Sequence, residues 1–156
     1  MKYIALVLAS VLCTPALAVV NAFGFTSGMS RQAVETEVKV MNLGVGKMFG
    51  GTLTVQGQDN YHHAYLFNFC NDKLYEVSQQ FPANFEQMAS FVDSTLQKYG
   101  QPLIVSATGG MTSAGFVRPL NIYWKLDDST YMRLMQLTLN YTVIYQWANS
   151  CVKVPT

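Results

Sequence analysis

The sequence predicts an α+β fold: a two-layer sandwich in which an antiparallel sheet carries two helices packed on one face. Three observations predict it. Residues 30–43 and 83–99 repeat their apolar side chains at helical spacing. The segments around them are rich in Tyr, Phe, Val and Thr, which favour strands. Residues 131–147 alternate apolar and polar side chains, as in a sheet with one covered face and one wet face.

Residues 1–18 have the three parts of a cleaved secretory signal peptide. Lys2 precedes a run of roughly 10 apolar residues, and small residues ending at Ala18 close the segment. A membrane span needs roughly 20 apolar residues, so no transmembrane anchor is predicted. Cleavage is expected after Ala18, or alternatively after Ala22. The remainder, residues 19–156, is then a single α+β domain in the periplasm or outside the cell.

The charge balance excludes two classes of partner. The chain has ten basic and nine acidic residues, and removal of Lys2 leaves the exported part neutral. No cluster of Lys and Arg is present to contact a phosphate backbone or a membrane surface. Nucleic acid is therefore not expected as a partner, and neither is a lipid headgroup.

Two cysteines remain after cleavage, Cys70 and Cys151. In an oxidising compartment an even pair predicts a disulfide bond. A metal or redox site is the alternative, but the chain has no CxxC spacing, and two cysteines with only His62 and His63 would make a poor zinc site. No metal ligand and no cofactor is predicted.

The first helix is predicted to begin at Ser30, whose side chain can cap it, and to end at Gly44. Met29 and Val34 are placed to form a hydrophobic staple. Val38 and Met41 continue the apolar stripe. The next segment, residues 44–51 (GVGKMFGG), predicts a flexible connector, since Met48 after Lys47 does not fit a phosphate-binding loop.

Three strands follow, predicted at residues 52–55, 63–69 and 74–79. Asn71 and Asp72 predict a tight turn between the last two. The second helix is predicted over residues 83–99, with Asn84 as its cap and Gly100 beyond its end. Its predicted core stripe consists of Phe85, Met88, Ala89, Val92, Leu96 and Tyr99.

The rest of the chain is predicted to be sheet: strands at residues 103–107 and 120–126, a turn at 127–130, and one long alternating run at 131–147. One face of this run is apolar. The other is predicted to be wet and to carry Gln136, Thr138, Asn140, Thr142 and Gln146.

Two surfaces are candidates for binding a partner. The first is the wet face, with Gln136, Thr138, Asn140 and Thr142, together with Tyr123 on the neighbouring strand. The second is the uncharged loop of residues 106–116, with Thr108, Gly109, Gly110, Met111 and Phe116. The alternatives are plain solvent exposure for the face and a simple link between strands for the loop.

No catalytic residue is predicted. The chain has no GxSxG motif, no activated cysteine and no matched pair of carboxylates. His62 and His63 are adjacent on a predicted strand, so their side chains point to opposite faces and do not converge on one ion.

The segment FGFTSGMSRQAVE, residues 23–35, resembles the helix entry of the SmpA/OmlA type of small bacterial envelope proteins. In that family a Gly-Met-Ser/Thr turn opens the first helix of a two-layer α/β domain, and the same fold group includes β-lactamase-inhibitor-like domains. The resemblance implies a non-enzymatic envelope scaffold or inhibitor that docks another protein.

The sequence therefore predicts an exported protein-binding module of the inhibitor, immunity or envelope-assembly accessory type. Its expected partner is another envelope or secreted protein. One alternative is a binder of a small apolar or sugar ligand, suggested by the 13% aromatic content. A second is a hydrolase with a dispersed site around His62 or His63.

Overall fold

The computed structural model of the chain describes residues 20–57, 64–107, 109–112, 115–117, 119–136 and 140–151. The predicted signal peptide, residues 1–18, lies outside these ranges, as do His62, His63, Thr108 and Thr138. The described elements are α1 (Arg31–Val40), β1 (Val45–Phe49), β2 (Thr52–Gln56), β3 (Ala64–Cys70), β4 (Lys73–Pro82), α2 (Phe85–Tyr99), β5 (Ile104–Ala107), β6 (Gly110–Thr112), β7 (Gly115–Val117), β8 (Leu120–Lys125), β9 (Thr130–Gln136) and β10 (Asn140–Trp147).

Eight of the strands form one antiparallel sheet in the order β1-β2-β3-β4-β10-β9-β8-β5. The short strands β6 and β7 pair separately. The fold is thus a mixed α+β fold built on an antiparallel sheet, as the sequence predicts.

The strand pairing divides the side chains of the sheet into two faces, because directly opposed residues in an antiparallel ladder point the same way. The apolar face carries Phe67, Val77, Val143, Leu134 and Trp124, each at most 1% exposed. The polar face carries Asn68, Glu76, Gln146, Arg133 and Tyr123.

Helix α1 begins as predicted. The Ser30 side chain accepts a hydrogen bond from the backbone N–H of Ala33 at 3.2 Å, and Val34 and Val38 are buried. The helix ends at Val40 rather than at Gly44, because the chain then turns directly into a strand.

The predicted connector at residues 44–51 is wrong: Val45–Phe49 is strand β1, paired with β2. Gly50, with φ at +59°, makes the reversal between the two strands. Gly50 and Gly51 therefore form a tight hairpin turn rather than part of a flexible connector.

The predicted turn between β3 and β4 is confirmed. Asn71 and Asp72 have φ at +50° and +60°, the left-handed conformation that a two-residue hairpin turn requires. The turn leaves Cys70 at the end of β3, paired with Lys73. Cys70 forms the predicted disulfide with Cys151, across 81 residues of sequence and with 6.1 Å between the Cα atoms.

Helix α2 has the predicted cap: the side chain of Asn84 accepts a hydrogen bond from the N–H of Gln87 at 3.0 Å. Its predicted core stripe is partly wrong, because Phe85 is 77% exposed and Ala89 is exposed as well. The buried positions are Met88 and Thr95. Thr95 can be buried because its hydroxyl donates to the carbonyl of Phe91 at 2.7 Å.

The predicted single run over residues 131–147 is also wrong: it forms two antiparallel strands, β9 and β10. Both strands alternate, but the apolar face takes the even-numbered residues of β9, such as Leu134, and the odd-numbered residues of β10, such as Val143. Gln136 lies opposite Tyr141 and therefore belongs to the apolar face, not to the predicted wet face. Thr138 lies outside the described residues.

Asp127 organises the turn between β8 and β9. Its carboxylate accepts hydrogen bonds from the backbone N–H groups of Ser129 and Thr130, both at 2.8 Å, and from both hydroxyls. Burial acts to raise the pKa of Asp127, but these hydrogen bonds outweigh it and hold the pKa below its usual value.

We expect Asp127→Ala to lower the free energy of unfolding by about 1–2 kcal/mol at neutral pH, because several donors lose their acceptor. A lowered pKa means that this contribution is present above the unfolded pKa, near pH 4, and is lost as the pH falls through the folded pKa. Urea unfolding at neutral and acidic pH measures it. A difference between Asp127→Ala and the native chain that does not shrink on acidification would contradict it.

Candidate functional site

Three of the residues predicted to bind a partner lie on the polar face: Tyr123 on β8 and Asn140 and Thr142 on β10. Thr142 is only 8% exposed, since its short side chain lies between the longer ones of Gln80 and Met135 on the flanking strands. The face is therefore less uniformly wet than predicted.

The second predicted surface, residues 106–116, is not one loop. Ser106 and Ala107 belong to β5, whereas Gly110, Met111 and Phe116 lie in the β6–β7 hairpin. Met111 and Phe116 are directly paired across that hairpin, and Gly109 before it is exposed. Thr108 lies outside the described residues.

The most specific arrangement on the polar face surrounds Arg133, which is half-buried in the middle of β9. Its Nε and one terminal nitrogen donate to Oδ1 of Asn121 at 3.0 and 2.6 Å. Its guanidinium lies over the ring of Tyr123, with 5.3 Å to the ring centroid. Asn121 is itself 5% exposed and donates from Nδ2 to the carbonyl of Pro119 at 3.3 Å.

This arrangement fixes the orientation of a cation without neutralising it. The ion pairs within the described ranges join Arg31 to Asp72 and Lys125 to Asp128, and neither involves Arg133. Its partners are an amide oxygen, an aromatic ring and the sulfur of Met135 at 3.3 Å. These contacts engage Nε and one terminal nitrogen, so within the described residues the other terminal nitrogen keeps two N–H donors that a carboxylate can accept from.

The same face also carries a negative charge that neighbouring side chains orient, the carboxylate of Glu76. Glu76 on β4 accepts from the amide of Asn68 at 2.6 Å and from the amide of Gln146 at 2.7 Å. The hydroxyl of Thr52 in turn donates to Asn68. Burial, and secondly the charge of Glu76, raise the pKa of the neighbouring Tyr75.

Glu76 lies two strands away from Arg133 in the sheet and is offset from it by two residues along the strand direction. Ordinary sheet spacing puts their Cα atoms about 12 Å apart. The polar face thus presents one oriented cation and one oriented anion, and no ion pair joins the two within the described residues.

Sequence reasoning missed Arg133, Asn121 and Glu76. The available signal was weak: Arg133 is a single cation inside an otherwise uncharged strand, YMRLMQ. Nothing in the sequence places Asn121 beside it, because that contact depends on the register between β8 and β9.

Two grooves lie on the helix-bearing parts of the molecule. One, of about 470 Å³, is lined by Phe81, Glu86, Gln87, Ser90, Phe91, Ser94 and Tyr141. Phe81 and Tyr141 are stacked there, with centroids 5.0 Å apart, and burial raises the pKa of Tyr141. The other, of about 360 Å³, lies beside α1 and β1 and is lined by Glu35, Val38, Lys39, Gly44, Gly46, Met48 and Leu53.

Within the described ranges, no group of three His, Cys, Asp or Glu side chains is placed to hold a metal ion. No described helix is both long and apolar enough to cross a membrane.

No protein-family model matches the chain, and neither a curated protein nor a solved structure is significantly similar to it.

Proposed function

We propose that the chain is an exported protein-binding module, of the inhibitor, immunity or envelope-assembly accessory type, that binds another envelope or secreted protein through its polar face. The observation that carries the proposal is Arg133: a half-buried cation, oriented by Asn121 and Tyr123, without a carboxylate partner in the described part of the chain.

The two buried clusters support a two-layer arrangement that leaves this face open. Val34 and Val38 of α1 pack with Val55, Phe67 and Val77, and Met88 of α2 packs with Trp124, Leu134 and Val143. All six strand residues belong to the apolar face. Both helices then cover one side of the sheet, and the polar face is available to a partner.

The disulfide supports export. Bonds of this kind persist in the periplasm and outside the cell and are rare in the cytosol. With residues 1–18 removed as a signal peptide, Cys70 and Cys151 would pair in the compartment where the partner is met.

The chemistry of the face indicates what the partner must offer. An Asp or Glu side chain fits the free donors of Arg133, and a Lys, Arg or amide donor fits Glu76. Such complementarity contributes specificity and orientation, while Tyr123, Met135 and Ile144 supply the apolar contact that a stable interface also needs.

The test is quantitative capture from the envelope fraction of the host, with the exported, oxidised chain as bait. We expect one stoichiometric protein that is captured by the native chain and lost with Arg133→Glu. Lys39→Glu, an equal charge change at an exposed position of α1, is the matched control and should capture the same protein. Undiminished capture by Arg133→Glu, or no stoichiometric protein at all, would refute the proposal.

A second candidate function rests on the groove beside α2, where the Phe81–Tyr141 stack lies near the polar side chains of Gln87 and Ser90. Aromatic faces beside hydrogen-bonding groups suit a sugar or a small apolar ligand. A panel of glycans and metabolites screened by thermal shift tests it, since a ligand well above its Kd raises Tm. A shift that survives Phe81→Ala would exclude this groove.

A further inference from the structure

Strand β5 ends the eight-stranded sheet and pairs on one side only, with β8. Its beginning is strongly apolar and accessible: Leu103 is 50% exposed, Ile104 37% and Val105 61%. Every second residue of an antiparallel edge strand has its backbone N–H and C=O directed away from the sheet. Within the described ranges, an unpaired backbone edge and three large apolar side chains therefore coincide.

Apart from its short length of four residues, this edge lacks the features that usually prevent strands from pairing between molecules. Such features include charged side chains, especially Lys, prolines and bulges. Residues 103–107 contain no charge and no proline. The opposite edge, β1, carries Lys47 in its middle and so has one of these features.

We propose that β5 pairs antiparallel with β5 of a second copy of this chain, across a two-fold axis. We assign the partner strand to a second copy because pairing two β5 strands covers the three exposed apolar residues of both copies at once. Charge is compatible with this pairing: the exported part has no formal net charge once Lys2 is removed, and the edge itself is uncharged, so like copies are not repelled.

The pairing has a geometric consequence. The two-fold axes of an antiparallel ladder run perpendicular to the sheet, so the polar faces of both copies lie on the same side of a joined sixteen-stranded sheet. The inference does not rest on the proposed docking function, because a dimer can form whether or not the polar face binds another protein.

Sedimentation velocity of the exported, disulfide-bonded chain over a wide concentration range tests the proposal. We expect a monomer–dimer equilibrium of modest affinity, because a four-residue strand buries little area. Val105→Lys should weaken dimerisation at least roughly tenfold, since it brings like charges together at the edge. Val40→Lys, at a 72% exposed valine on α1, is the matched control and should dimerise like the native chain.

Hydrogen exchange provides a readout that does not depend on how a variant folds. In the native chain, the amides of residues 103–107 should exchange more slowly at high protein concentration, while those of α1 stay unchanged. A chain that remains monomeric at every concentration, or an equal loss of dimer in Val105→Lys and Val40→Lys, would overturn the proposal.

Discussion

Serine in place of both Cys70 and Cys151 is expected to lower the free energy of unfolding by roughly 4–5 kcal/mol. The bond closes a sequence separation of 81 residues, and cross-linking so long a loop removes much conformational freedom from the unfolded chain. It also ties the end of β3 to the segment that follows β10. Urea unfolding of the oxidised native chain and of the double variant measures the difference.

Reduction supplies the matched control. A thiol reductant should bring the native chain down to the stability of the Cys70→Ser/Cys151→Ser variant and leave the variant itself unchanged. A difference below about 1 kcal/mol would mean that the unfolded chain is already compact, or that the bond adds strain to the native fold.

Arg133→Glu is expected to weaken binding of the captured partner by roughly a hundredfold or more. Removing one member of a buried, hydrogen-bonded charge pair costs roughly 2–5 kcal/mol of binding free energy. Reversal adds repulsion against the partner's carboxylate. Calorimetric titration of the purified partner with native and variant chains measures the change in Kd.

Two further variants distinguish the effect of the orientation of the Arg133 guanidinium from the effect of its charge. Arg133→Lys keeps the charge but loses the planar fork, so we expect an intermediate affinity. Asn121→Ala leaves the cation present and unoriented, and it should also weaken binding; Asn121 is a positioning residue. If Arg133→Lys binds as well as the native chain, a contact that depends on the oriented guanidinium is excluded.

The sequence predicted the helix caps and the hairpin turn correctly because residues close together in the chain determine them. Ser30 and Asn84 cap their helices because the hydroxyl and amide oxygens satisfy free N–H groups in the first turn. Asn71 and Asp72 form the hairpin turn because they tolerate positive φ. The Cys70–Cys151 bond followed from an even pair of cysteines in an exported chain.

The errors come from features that tertiary contacts determine. Alternation over residues 131–147 predicts one strand with the odd-numbered residues in the core, whereas the pairing of β9 with β10 buries the even-numbered Leu134 beside the odd-numbered Val143. Helical periodicity placed Phe85 in the core, but Phe85 is 77% exposed, and Met88 is the buried residue of α2 that packs with the sheet cluster. Arg133 was missed for the same reason, because its contacts with Asn121 and Tyr123 depend on the register between β8 and β9.

Hydroxyl-radical footprinting of the chain, alone and with its captured partner, tests the central claim most directly. If the polar face binds the partner, oxidation of Tyr123 and Met135 should fall in the complex, while the exposed Phe85 on α2 and Met41 after α1 should react as before. Protection of Phe85 or Met41, with Tyr123 and Met135 unchanged, would place the interface on the helices and contradict the account.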